Sequence, residues 1–178
     1  MAIKERAKTF FYYLGGFKKV VIGGNGQDAG AQTQVNISKL ITGMADATFV
    51  DLFTVTVPNS AQAATIEITL MGSLGAGGAV GAFESSNGAF GLVTVARTAG
   101  VATVAVAAAL TSSAVASVAG ANNAAVAYQV SAITGANGAT QTFTIQAKVT
   151  KSLGASANHQ VLAIAGLLNS QGSGVTIA

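Results

Sequence analysis

The chain has 178 residues, of which 51% are hydrophobic and only 8% charged, so Thr, Ser, Asn, Gln, Ala and Gly must cover most of its surface. Soluble domains carry about 25% charged residues on average, so this surface repels its copies weakly and suits lasting contact with neighbours. Cysteine is absent and histidine occurs once, which excludes disulfides, thiolate chemistry and zinc sites built from several Cys or His of one chain.

The net charge of +3 is unevenly placed. Residues 1–19 hold Lys4, Arg6, Lys8, Lys18 and Lys19 against Glu5, a net of +4, and the rest sums to −1. Contact with a polyanion is therefore expected only at the N-terminus. Within it, Ile3, Ala7, Phe10, Leu14 and Phe17 follow the spacing of one helical face, with Lys4 and Lys8 beside it. Gly15-Gly16 ends this short amphipathic helix or arm, which also holds the aromatics Phe10, Phe11, Tyr12, Tyr13 and Phe17. Residues 1–19 form one unit and residues 20–178 a single β domain in this reading.

From Lys18 the periodicity becomes that of strands. Lys18–Ile22 is a short strand and residues 27–38 a loop or edge strand. In Phe49–Val57, Phe53, Val55 and Val57 share the face of Phe49, while Asp51 interrupts that face and marks a register break or an interface acceptor. Thr65–Leu70 alternates with Ile66, Ile68 and Leu70 inward and Thr65, Glu67 and Thr69 outward, the pattern of a half-buried antiparallel strand. Residues 72–82 read as a Gly/Ala-rich connection, and Asn87-Gly88 as a hairpin turn within Phe83–Phe90. Leu92–Arg97 and Val101–Ala107 form the next hairpin, while Ala107–Ala119 fits either a short helix or a strand of small side chains. Val126–Ile133, Gln141–Val149 and Gln160–Leu167 complete the set, with a turn at Gly135–Gly138 and a short terminal strand at Gly174–Ala178. Eight or nine such strands predict an all-β, antiparallel β-sandwich, of which a jelly roll is one form.

Chemistry-bearing motifs are sparse. Gly24-Asn25-Gly26-Gln27-Asp28-Ala29 meets a relaxed dinucleotide fingerprint, but no apolar helical face follows it, so it reads as a glycine turn and no cofactor is expected. The acids Glu5, Asp28, Asp46, Asp51, Glu67 and Glu84 show no spacing that pairs two of them for hydrolysis. His159, between Asn158 and Gln160, reads as a solvated loop residue, and no nucleophile-elbow sequence accompanies it. Asn36-Ile37-Ser38 matches the short acceptor pattern for N-glycosylation. No catalytic or metal residue is expected.

With Met1-Ala2, the basic-aromatic arm, the low-charge strand Gln141-Thr142-Phe143-Thr144-Ile145 and the turn Gly120-Ala121-Asn122-Asn123, the chain resembles virion structural proteins of bacteriophages, in style and not by a family motif. The resemblance implies a coat, decoration or appendage subunit located in the virion, whose partners are copies of itself and other virion proteins. The leading expectation is a capsid or coat subunit that acts by self-assembly and is not an enzyme. In it, Lys4, Arg6, Lys8, Phe10, Phe11, Tyr12, Tyr13, Phe17, Lys18 and Lys19 contact a neighbouring subunit, nucleic acid or a membrane surface. The alternatives are a phage fibre, receptor-binding or cell-surface adhesion module, and a membrane-associated viral structural protein.

Overall fold

A computed structural model describes residues 19–23, 31–60, 62–75, 83–98, 105–117, 124–151, 159–169 and 174–178. The proposed N-terminal helix and the Gly24–Ala29 motif lie outside these residues, as do all the expected arm contacts except Lys19. Among the described residues no helix is long and apolar enough to cross a membrane.

The described residues form strands β1 (Lys19–Gly23), β2 (Ala31–Met44), β3 (Val50–Val57), β4 (Gln62–Gly75), β5 (Phe83–Arg97), β6 (Ala105–Ser117), β7 (Ala124–Val130), β8 (Gln141–Lys151), β9 (His159–Asn169) and β10 (Thr176–Ile177). A six-stranded sheet runs β1-β2-β9-β4-β5-β6 and a four-stranded sheet β10-β3-β8-β7, with every pairing antiparallel. The fold is thus an all-β sandwich, with a β4-β5-β6 meander on one side and no second sheet of equal width.

The core forms where alternation is cleanest. Ile66, Ile68 and Leu70 of β4, Phe143, Ile145, Ala147 and Val149 of β8, and Val161, Ala163, Ala165 and Leu167 of β9 are buried between the sheets. Small side chains let the layers approach closely, and two glycines mark the tightest places. A Cβ on Gly72 would lie 2.9 Å from Val126 Cγ2, and one on Gly91 would lie 2.6 Å from Tyr128 Cζ. Tyr128 of β7 thus seats its ring on bare backbone of β5. Its hydroxyl lies 3.0 Å from the Leu92 carbonyl and also reaches that of Ala109, bridging β5 and β6. Burial pushes the Tyr128 pKa above its ordinary 10.0.

Several local expectations are corrected. Asn87-Gly88 is not a turn: β5 runs unbroken through it, and Asn87 points inward, where its Oδ1 accepts the Val126 N–H at 3.0 Å. A side-chain carbonyl facing an apolar strand supplies the hydrogen bond that β7 would otherwise lack there. The stretch left open between helix and strand lies almost wholly within strand β6. β2 is longer than the polar pattern implied, and reaches Met44 through a register shift at Gly43, whose φ of 68° suits a glycine. Asp51 does mark a register break: a bulge between Asp51 and Phe53 turns both Leu52 and Phe53 inward and leaves Asp51 exposed.

Candidate functional site

That bulge determines what the four-stranded sheet shows to solvent. With Leu52 and Phe53 both buried, Asp51 and Thr54 project outward, as the even-numbered residues 142–150 of β8 do. Register then aligns Asp51 with Gln146 and Gln146 with Gln129 in one row across β3, β8 and β7. The row is hydrogen-bonded end to end: Gln129 Nε2 donates to Gln146 Oε1 at 2.8 Å, and Gln146 Nε2 donates to Asp51 Oδ1 at 2.7 Å.

Hydroxyls fill the neighbouring rows. Thr54 lies opposite Thr144, whose N–H donates to Ser131 Oγ at 2.8 Å. Thr176 lies opposite Thr56, and Thr56 opposite Thr142, whose Oγ1 lies 2.7 Å from that of Thr134. On the other side of the amide row, the Lys148 ammonium sits 4.8 Å from the centroid of the Phe49 ring, a cation–π contact. The edge beside β2 opens into a groove of about 320 Å³ lined by Ser38, Lys39, Asp51, Phe53, Thr54 and Ala178. Lys39 Nζ donates to the Asp51 carbonyl at 3.0 Å across it.

This face offers alternating donors and acceptors held in line by strand pairing. Amide and carboxylate side chains fixed by one another retain spare lone pairs and N–H groups, so the face can hydrogen-bond a planar, hydroxyl-rich ligand without reorganising. Asp51 is already bonded to Gln146, and no other carboxylate among the described residues shares this face. Asp46 lies at one end of the sandwich, and Glu67 on the opposite outer surface.

Of the residues expected to act, Lys19 alone is placed, as the first residue of β1 opposite Val35. The structure brings together others that the sequence reading dispersed. His159 is no loop residue: it opens β9, is fully buried, and places Nε2 3.2 Å from Asp46 Oδ1, which also accepts the Lys151 N–H at 2.7 Å. The bond requires the imidazole proton on Nε2. Arg97 is likewise buried at the other end, where Nη1 donates to the carbonyls of Val57 and Pro58, both at 3.1 Å. One sequence signal locates both. His159 extends the inward series Val161, Ala163, Ala165 by one period-two step, and Arg97 extends Val93, Val95 in the same way.

No protein-family model and no curated protein matches the sequence. Among solved structures, the tailspike protein of Acinetobacter baumannii phage AM24 is similar over 83% of this chain and 28% of its own, at 11% identity and a TM-score of 0.48. A tailspike protein from Acinetobacter baumannii bacteriophage Fri1, a capsular polysaccharide depolymerase, is similar over 100% of this chain and 23% of its own, at 12% identity and a TM-score of 0.38. This chain therefore spans less than a third of either. Both are phage virion proteins, the class that the sequence resembles. Both are tailspikes and not coat subunits, so the capsid or coat reading is corrected; low charge and a basic arm suit any permanent assembly and do not single out a shell. The expectation that the chain is not an enzyme is withdrawn as well, because one of the two similar proteins is a depolymerase.

Proposed function

We propose that this chain is a binding module of a phage tail appendage, of the fibre or tailspike kind, whose four-stranded sheet contacts a polyhydroxylated surface such as bacterial capsular polysaccharide. The observation that carries this reading is the Asp51–Gln146–Gln129 row, three polar side chains bonded in line on an exposed, threonine-rich face. Sugars present closely spaced hydroxyls that both donate and accept, and the amides and carboxylate of such a row offer matching donors and acceptors. The module acts within an assembly with copies of itself and with other virion proteins, which its low charge supports.

The test is calorimetric titration of the full chain with purified capsular polysaccharide. Wild-type protein should bind, and Gln146→Ala, which removes both side-chain bonds of the row, should weaken binding about tenfold, near 1.4 kcal/mol. Absence of binding by the wild type, or equal binding by the variant, overturns the reading. Release of reducing ends in the same mixtures shows whether a bound polysaccharide is also cut.

A further inference from the structure

The wider sheet ends in a strand that no other strand among the described residues covers. β6 pairs with β5 on one side and is the last strand of its sheet, as β7 is of the facing one. Along such an edge the N–H and C=O groups of every second residue point away from the sheet. Proteins blunt edges of this kind with charge, proline or brevity. The other edges have at least one of these: β1 has five residues and begins at Lys19, β10 has two residues and β7 seven. β6 has thirteen residues with neither a charge nor a proline. Val115 is 51% exposed although it lies opposite the inward-pointing Asn87. Opposed residues share a face, so Val115 belongs to the inner side of its sheet, at a place the facing sheet leaves open.

The sequence of this edge is self-complementary. Val106 and Val115 each stand at the centre of an Ala-Val-Ala triplet, residues 105–107 and 114–116. Separated by an odd number of positions, they would fall on opposite faces of a regular strand. The register shift between Phe90 and Gly91 leaves Thr111 as an extra residue of β6 and returns the second triplet to the face of the first. Val106 thus lies opposite buried Val95, and Val115 opposite buried Asn87. A second β6, antiparallel and related by a two-fold axis between Leu110 and Thr111, would set Val106 against the partner's Val115 and Ala105 against the partner's Ala116. Both strands carry the same bulge at the axis, so the register holds on either side of it. No charge is desolvated in the process.

We infer that β6 is a homodimer interface, at which the six-stranded sheets of two copies join edge to edge through antiparallel β6–β6 pairing. Any extended strand could satisfy the free backbone groups. Matching triplets on either side of a central bulge are what a strand needs to pair with itself, and they make the occupant a second copy. Pairing that keeps both valines on one face places the two-fold axis normal to the shared sheet. The two four-stranded sheets then lie on the same side of it and present their outer faces in the same direction. No residue of the amide row takes part, so this inference and the polysaccharide reading stand or fall separately.

The chain has no cysteine, so engineered ones report this contact directly. Within one chain, residues 105 and 116 are about 37 Å apart along the strand, far beyond disulfide reach. The double variant Ala105→Cys with Ala116→Cys should therefore link two full chains on mild oxidation, at least about tenfold faster than either single variant, whose cysteines are as far apart in the dimer. Sedimentation equilibrium gives a cysteine-free measure. Val115→Lys, at a position already exposed in one chain, should keep the wild-type circular dichroism and raise the dimer dissociation constant at least about tenfold. A wild-type chain that stays monomeric through the micromolar range overturns the inference, as does an unchanged dissociation constant in folded Val115→Lys. An oligomer of any size in which the double variant links no faster than the single ones also overturns it, and assigns assembly to another surface.

Discussion

The seat of Tyr128 on Gly91 gives the most exacting test of how the two sheets meet. In Gly91→Ala the added methyl group would lie 2.6 Å from Tyr128 Cζ, far inside van der Waals contact, so the ring or the strand must move. Overpacking of this kind costs about 1–3 kcal/mol. The backbone of Gly91 is not left-handed, so steric room is the whole reason for a glycine there. In a Tyr128→Ala background the obstacle is gone. Gly91→Ala should then stabilise by about 0.4–1 kcal/mol, because alanine loses less backbone freedom on folding. The change of sign makes the coupling about 1.5–4 kcal/mol, well above the error of denaturant titrations. Four proteins unfolded in urea, with m-values compared to exclude changes in the unfolded state, complete the cycle. Equal costs of Gly91→Ala with and without Tyr128 would refute the steric argument.

Two further outcomes follow from groups already placed. Asp46→Ala should destabilise by about 1–3 kcal/mol, since it strands the Lys151 amide and the buried His159 Nε2, whereas Asp46→Asn keeps an acceptor and should recover most of the loss; thermal unfolding reads this as a fall of about 2–4 °C per kcal/mol. Burial raises the folded-state pKa of Tyr128 above its unfolded value, so the stability tied to its neutral form is fully present below about pH 10 and is lost as pH rises through the folded pKa. Stability measured between pH 9 and 11 should fall more steeply in wild type than in Tyr128→Phe.

What the sequence made legible depended on how far local pattern and tertiary environment agreed. β4 and β8 alternate apolar and polar residues along almost their whole length, and both lie at the centre of their sheets with one face buried and one exposed, so pattern and position coincide. β5 misled because Asn-Gly favours a tight turn locally, whereas here Asn87 is drawn inward to satisfy a backbone amide on the facing sheet. That requirement comes from β7, about forty residues away, and no local window contains it. His159 misled for a related reason. Polar residues at strand ends suggest solvent, but His159, like Arg97, carries the inward alternation to its last position; His159 ends against the Asp46 carboxylate in the β2–β3 connection and Arg97 against the Val57 carbonyl of β3. The Asp51–Gln146–Gln129 row was half legible: Asp51 was visible as a break, and the other two fall on the polar side of strands that alternate. Their alignment needed the register, which a bulge of one residue sets.

The seats at Gly72 and Gly91 have a mechanical consequence. Val126 and Tyr128 are neighbours on the same face of β7, and each rests in a gap left by a missing side chain, one on β4 and the other on β5. Sliding β7 along β5 by one pleat would drive the tyrosine ring against Ala89 or Val93, both buried and both carrying a Cβ. The two layers are therefore pegged against shear, and force applied to one sheet passes to the other before any hydrogen-bonded ladder has to open. A part mounted on the outside of a particle, pulled whenever that particle meets a surface, would carry load through those two pegs.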